Sequence, residues 1–153
     1  MAIRNLVVNG DFNTGSLSPW GGVNSSITTQ YRHTGLFAVL MENKDTPSVI
    51  SQTINGTFSE GFEIVASVKK TGNLPNPQVA VVLTYFDKDS DLLGTSLVLE
   101  VAEGSLTDNS WLQIYKTISP APSETAYSIL TVTKSVLEDS AEIVADDISL
   151  LMV

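Results

Sequence analysis

Cysteine is absent from the 153 residues of this chain. That removes disulfides, thiolate metal sites and a thiol nucleophile together. Histidine occurs once, as His33 between Arg32 and Thr34. With no second histidine and no cysteine, a zinc site is not expected, and the residue reads as a turn hydrogen-bonding group. Basic residues are few: 8 Lys and Arg stand against 17 Asp and Glu, for a net charge of −9. Only Lys69 and Lys70 are adjacent. Nucleic acid needs clustered Lys and Arg, so it is excluded as a partner. Anionic membrane surfaces are disfavoured for the same reason. No apolar run approaches the ~20 residues of a membrane span, so no membrane insertion is expected. Met1-Ala2-Ile3-Arg4 runs directly into a strand, and no secretory leader is legible there.

Catalytic signatures are also missing. No Gly-x-Ser-x-Gly turn marks one serine among many. Paired carboxylates for glycoside hydrolysis need a cleft that a domain of this size rarely builds. The chain therefore reads as a non-enzyme. Asp87-Lys88-Asp89-Ser90-Asp91 has acids at alternate positions but lacks the sixth-position Gly and twelfth-position Glu of a calcium loop. It reads as a solvated hairpin turn.

What is present is β-structure. Apolar residues make up 42% and charged residues 16%, and mean hydropathy is +0.15. This is the composition of a packed globule, and some of its apolar surface is expected to be covered by neighbouring subunits. Short alternating runs separated by turn residues predict an all-β, antiparallel β-sandwich in a single domain over residues 1–153. Strands are expected near residues 3–8, 27–31, 36–41, 49–54, 62–69, 79–86, 96–101, 111–118, 127–133 and 143–152. A Gly/Ser/Asn/Pro-rich loop is expected over 13–26, and another loop over 136–142. Ile50, Gln52 and Ile54 share a face, as do Phe62, Ile64, Ala66 and Val68. The run 79–86 is apolar on both faces, as in a central strand. First and last strands are expected to meet.

Two groups of residues could carry function. Asp146 and Asp147 sit in the last strand, where neighbours point to opposite faces, so only one is expected to face inward. A buried carboxylate needs a partner. Backbone N–H groups of nearby loops or a calcium ion would each provide one. Trp111 and Tyr115 fall on one strand face, four residues apart. They are either core residues or an aromatic platform for a pyranose ring. Trp20 reads as core.

The ordered set Asn9-Gly10-Asp11-Phe12, Pro19-Trp20, His33-Thr34-Gly35, Ser51-Gln52-Thr53-Ile54, Trp111 and Asp146-Asp147-Ile148-Ser149-Leu150 resembles the jelly-roll carbohydrate-binding modules of the galactose-binding-like superfamily. The opening ten residues, Gly72-Asn73-Leu74-Pro75, and Trp111-Leu112-Gln113-Ile114-Tyr115 with Pro120-Ala121-Pro122 resemble, more closely, the N-terminal domain of Firmicutes collagen-triple-helix-repeat surface proteins. That second resemblance implies a structural or adhesion module on a bacterial spore or cell surface, assembling with copies of itself. The first implies glycan binding. It also implies a structural calcium held near Gly10, Asn13, Gly35 and Asp146 or Asp147. Asn13 stands where those modules commonly have Glu.

Overall fold

The computed structural model describes residues 3–57 and 59–152. Met1, Ala2, Phe58 and Val153 lie outside the described residues. Eleven strands are present among them, and no helix: β1 (Arg4–Asn5), β2 (Gly21–Val23), β3 (Ser25–Thr28), β4 (Ala38–Met41), β5 (Ser48–Asn55), β6 (Phe62–Lys70), β7 (Val79–Phe86), β8 (Leu92–Val101), β9 (Leu112–Ile118), β10 (Tyr127–Lys134) and β11 (Ile143–Met152). Two antiparallel sheets face each other in a jelly-roll sandwich. The six-stranded sheet runs β3-β4-β11-β6-β9, with β1 also on β11; the five-stranded sheet runs β2-β5-β10-β7-β8.

Alternation places the core. Ile50, Gln52 and Ile54 of β5, then Phe62, Ile64, Ala66 and Val68 of β6, all point inward. Val79, Val81, Leu83 and Tyr85 of β7 do the same. Leu130, Val132, Ile143, Ile148 and Leu150 close the interior. Each fully buried aliphatic side chain contributes about 1.5–3 kcal/mol. Trp20 is buried, tilted against Phe12, and donates its indole N–H to the Asn9 carbonyl at 3.0 Å.

The ends of the chain pair as expected: Arg4 lies opposite Met152 and Asn5 opposite Leu151. The first strand is much shorter than the expected 3–8. Asn5 Oδ1 accepts N–H bonds from both Val7 and Leu150, which ends the ladder. The chain then crosses toward the other sheet. Val8 donates to Gln52 Oε1 and accepts from Gln52 Nε2, each at 2.8 Å, so one buried amide side chain acts as a strand partner.

Two other expectations shift. The loop expected over 13–26 contains β2 and the start of β3, because Gly21-Gly22 presents no alternation to read. The break expected before residue 96 is absent. β8 runs through Gly94 by absorbing two register shifts against β7. Residues 87–91 form the expected hairpin turn, with Asp87 Oδ1 accepting from the N–H groups of Asp89 and Asp91 at 2.9 Å each.

Candidate functional site

The last strand carries a β-bulge. Asp146 pairs with Ser67, yet Ser149 pairs with Val65, so one residue is extra on β11. Asp147 takes a φ of 49°, the left-handed conformation that a bulge residue can adopt. Strict alternation, which allowed only one of the two acids to face inward, therefore does not hold here. Asp146 is fully buried, and Asp147 is about one-quarter exposed.

Both acids grip the segment between β3 and β4. Asp146 Oδ2 accepts the Thr34 N–H at 3.3 Å, and its Oδ1 accepts the Asp147 N–H at 2.8 Å. Thr34 Oγ1 donates to the Asp147 carboxylate, 2.8 and 2.7 Å from its two oxygens. His33 Nδ1 lies 2.5 Å from Asp147 Oδ2, and its ring leans on Trp111 with centroids 4.9 Å apart. Burial pushes the Asp146 carboxyl up to about 6; the Asp147 N–H opposes this and the Asp147 charge adds to it. His33, Asp146 and Asp147 offer ligand atoms within 4.8 Å of one another, an acidic cluster with one imidazole.

The remaining positions singled out from the sequence gather around this clasp. The Gly10 carbonyl accepts the Ile148 N–H at 2.9 Å. A Cβ on Gly10 would lie 1.9 Å from the Ile148 carbonyl oxygen, so only glycine lets these backbones approach. Gly35 has a φ of 66°, and a Cβ there would strike the Asn13 amide at 2.2 Å. Gly10, Asn13, Gly35, Asp146 and Asp147 are thus brought together around the bulge in the middle of β11. Ser67, opposite Asp146, is buried and its hydroxyl has no hydrogen-bond partner. The oxygens of a buried and a half-buried carboxylate are of the kind a hard divalent cation takes, with the His33 imidazole beside them. The roles of His33 and Thr34 were not legible: Asp147 lies 114 residues from His33.

The aromatic residues fall in different settings. Trp111 and Tyr115 lie on the outer side of the six-stranded sheet. Trp111 is half-buried and donates its indole N–H to the Arg32 carbonyl at 2.9 Å. Tyr115 is 70% exposed. Tyr31 covers the same side, with Lys69 Nζ 5.6 Å from its ring centroid.

The outer face of the five-stranded sheet is different in kind. Its outward positions are Val49, Ser51, Thr53 and Asn55 on β5; Tyr127, Ile129, Thr131 and Thr133 on β10; and Ala80, Val82, Thr84 and Phe86 on β7. None is charged. Register aligns them in rows, such as Thr53–Ile129–Thr84 and Ser51–Thr131–Val82. Phe86 and Tyr127 stack at 5.0 Å with planes 12° apart. A groove of about 540 Å³ opens beside β5, lined by Val8, Pro19, Gly21, Ser51, Thr53 and Ile129 among others. The segment that supplies Val8 and Pro19 runs through Gly10, so the clasp anchors one wall of this groove.

A jelly-roll sandwich with a sheet face whose three central strands carry no outward charge, and with a clasped last strand, places the molecule among the folds of carbohydrate-binding modules. The sequence assigns it further: it matches the family model described as carbohydrate binding domain over residues 4–136, and the chain belongs to that family. Among solved structures it is similar to the enzymatically active domain of tailspike protein 4 from bacteriophage CBA120, with a TM-score of 0.74 and 12% identity; 97% of this chain is covered but only 21% of that one. The CBM22-1 xylan-binding domain from Paenibacillus barcinonensis Xyn10C gives a TM-score of 0.71 and 18% identity, covering 97% and 94% of the two chains. TmCBM61, solved with β-1,4-galactotriose, gives 0.65 and 19%, covering 96% and 97%. At these identities the likeness is one of fold. Comparison with curated proteins gives no match.

Proposed function

We propose that this chain is a non-catalytic module that binds a neutral polysaccharide along the outer face of its five-stranded sheet. The observation that carries the reading is the lack of charge at the outward positions of the three central strands of that sheet, β5, β10 and β7, in a chain of net charge −9. A sugar chain presents apolar C–H faces and hydroxyls in alternation. Rows that alternate Ile129 or Val82 with Ser and Thr hydroxyls are complementary to both. The Phe86–Tyr127 pair closes one end with an aromatic surface.

The probes are xylan and β-1,4-galactotriose, the one named for a xylan-binding domain and the other bound in TmCBM61, two of the similar structures. Calorimetric titration should show binding to at least one neutral polysaccharide. Ser51→Glu and Thr131→Glu should each weaken it by about tenfold or more, equivalent to about 1.4 kcal/mol. Tyr115→Ala, on the other sheet, should leave it unchanged. Loss with Tyr115→Ala instead would move the site to the Trp111–Tyr115 surface. An absence of binding across neutral glycans would end the proposal.

The same reading gives the β11 clasp a calcium ion, held by Asp146 with Asp147, Asn13 and carbonyls near Gly10 and Gly35. Its role is structural: a divalent charge beside a buried carboxylate. The setting proposed is a bacterial spore or cell surface, where polysaccharide is met; this rests on the resemblance of the sequence alone.

A further inference from the structure

β9 is an edge strand without the usual protection. It ends the six-stranded sheet, pairing only with β6. Among the described residues, 112–118 make no backbone hydrogen bond outside that ladder, so a row of N–H and C=O groups is free along the seven residues of β9. Natural edges are shortened, bulged, charged or broken by proline. The other edges follow that rule: β1, β2 and β3 have two to four residues, and β8 carries two register shifts. β9 has an unbroken register, no proline and a single charge, Lys116. Leu112 is 43% exposed and Tyr115 70%.

We infer that β9 pairs antiparallel with β9 of a second copy of this chain, across a two-fold axis at Tyr115. The strand is self-complementary in that register. Leu112 meets the partner's Ile118, Gln113 meets the partner's Thr117, Ile114 meets the partner's Lys116, and Tyr115 meets the partner's Tyr115. Lysine is kept away from lysine. The strand carries no acid, so it is a place where two copies of net charge −9 can approach without opposing carboxylates along the seam. Pro120 and Pro122 follow directly and confine the seam to β9. Pairing here would join two six-stranded sheets into one and leave the five-stranded faces open. The inference stands apart from the glycan reading.

Sedimentation velocity of the whole chain over a wide concentration range tests it. The expected mass is twice the 16.4 kDa chain mass at high concentration. Tyr115→Lys and Thr117→Lys should each return the monomer with an unchanged circular dichroism spectrum, while Thr131→Glu should leave the dimer intact. Backbone amides of β9 should gain hydrogen-exchange protection only in the dimer. A monomer at every concentration would overturn the inference, as would a dimer surviving both edge variants. If Tyr115→Lys does not fold, Thr117→Lys decides. Protection of β9 gained only on adding an unrelated extended peptide would assign the edge to another chain and overturn it equally.

Discussion

Asp146 shows what a single residue can contribute. Desolvation raises its carboxyl to about 6, above the ordinary aspartate value of 3.8 that describes the unfolded chain. Between those values the folded protein holds a proton the unfolded chain has released. Stability therefore falls as pH rises from about 4 to about 6, by about 3 kcal/mol, and does not recover above that window. In chelator, melting temperature measured across this range should drop more steeply for the wild type than for Asp146→Asn. Calcium should remove the difference by favouring the carboxylate, and should raise the melting point near neutral pH in proportion to its affinity. Gly10→Ala acts at the same scale. Its Cβ would meet backbone, not a movable side chain, so a loss of about 3 kcal/mol or more is expected in urea unfolding. The buried acid was legible in the sequence, since an Asp amid Ile, Val and Leu in a final strand has few other readings. Its partners were not. Thr34 reaches it, and His33 reaches its neighbour Asp147, through tertiary placement, and nothing in their local sequence encodes that.

At the scale of elements, the β11 bulge decides where both acids aim. Deleting Asp147 would restore regular pairing: Asp146 would stay opposite Ser67, Ile148 would fall opposite Ala66, and Ser149 would stay opposite Val65. The strand should thus survive. The Thr34 hydroxyl and His33 contacts to Asp147 would be lost, and the Thr34 amide, left with Asp146 alone to hold its segment, should exchange at least about tenfold faster, with a stability loss of about 1–3 kcal/mol. Legibility at this scale followed alternation. β5, β6, β7 and β11 were readable because one face of each is buried and the period is two. β2 was not, because Gly21-Gly22 has no side chains to alternate. β1 was overread, because Ile3, Val7 and Val8 continue an apolar run that the Asn5 side chain cuts off. β8 was underread, because Gly94 looks like a break when the strand bulges through it.

At the scale of the whole molecule, first and last strands close one sandwich, as the sequence implied. The two sheets then divide the work. The six-stranded sheet is covered on one side by the segment that Asp146 and Asp147 hold, and it carries Trp111 and Tyr115. The five-stranded sheet presents to solvent a face whose three central strands carry no charge. That division was hidden in the sequence, because alternation assigns a residue to a face without saying which faces gather into one surface. A ligand without charge should bind with an affinity that changes little between about 0.05 and about 0.5 M salt, since no ion pair is there to be screened. The most direct test is an amide chemical-shift titration with a neutral oligosaccharide, xylo- or galacto-configured. The shifts are predicted to cluster on β5, β7 and β10 around Ser51, Ile129, Thr131 and Val82, with β9 silent. Shifts confined to the outer side of the six-stranded sheet, or none with any neutral sugar, would contradict it.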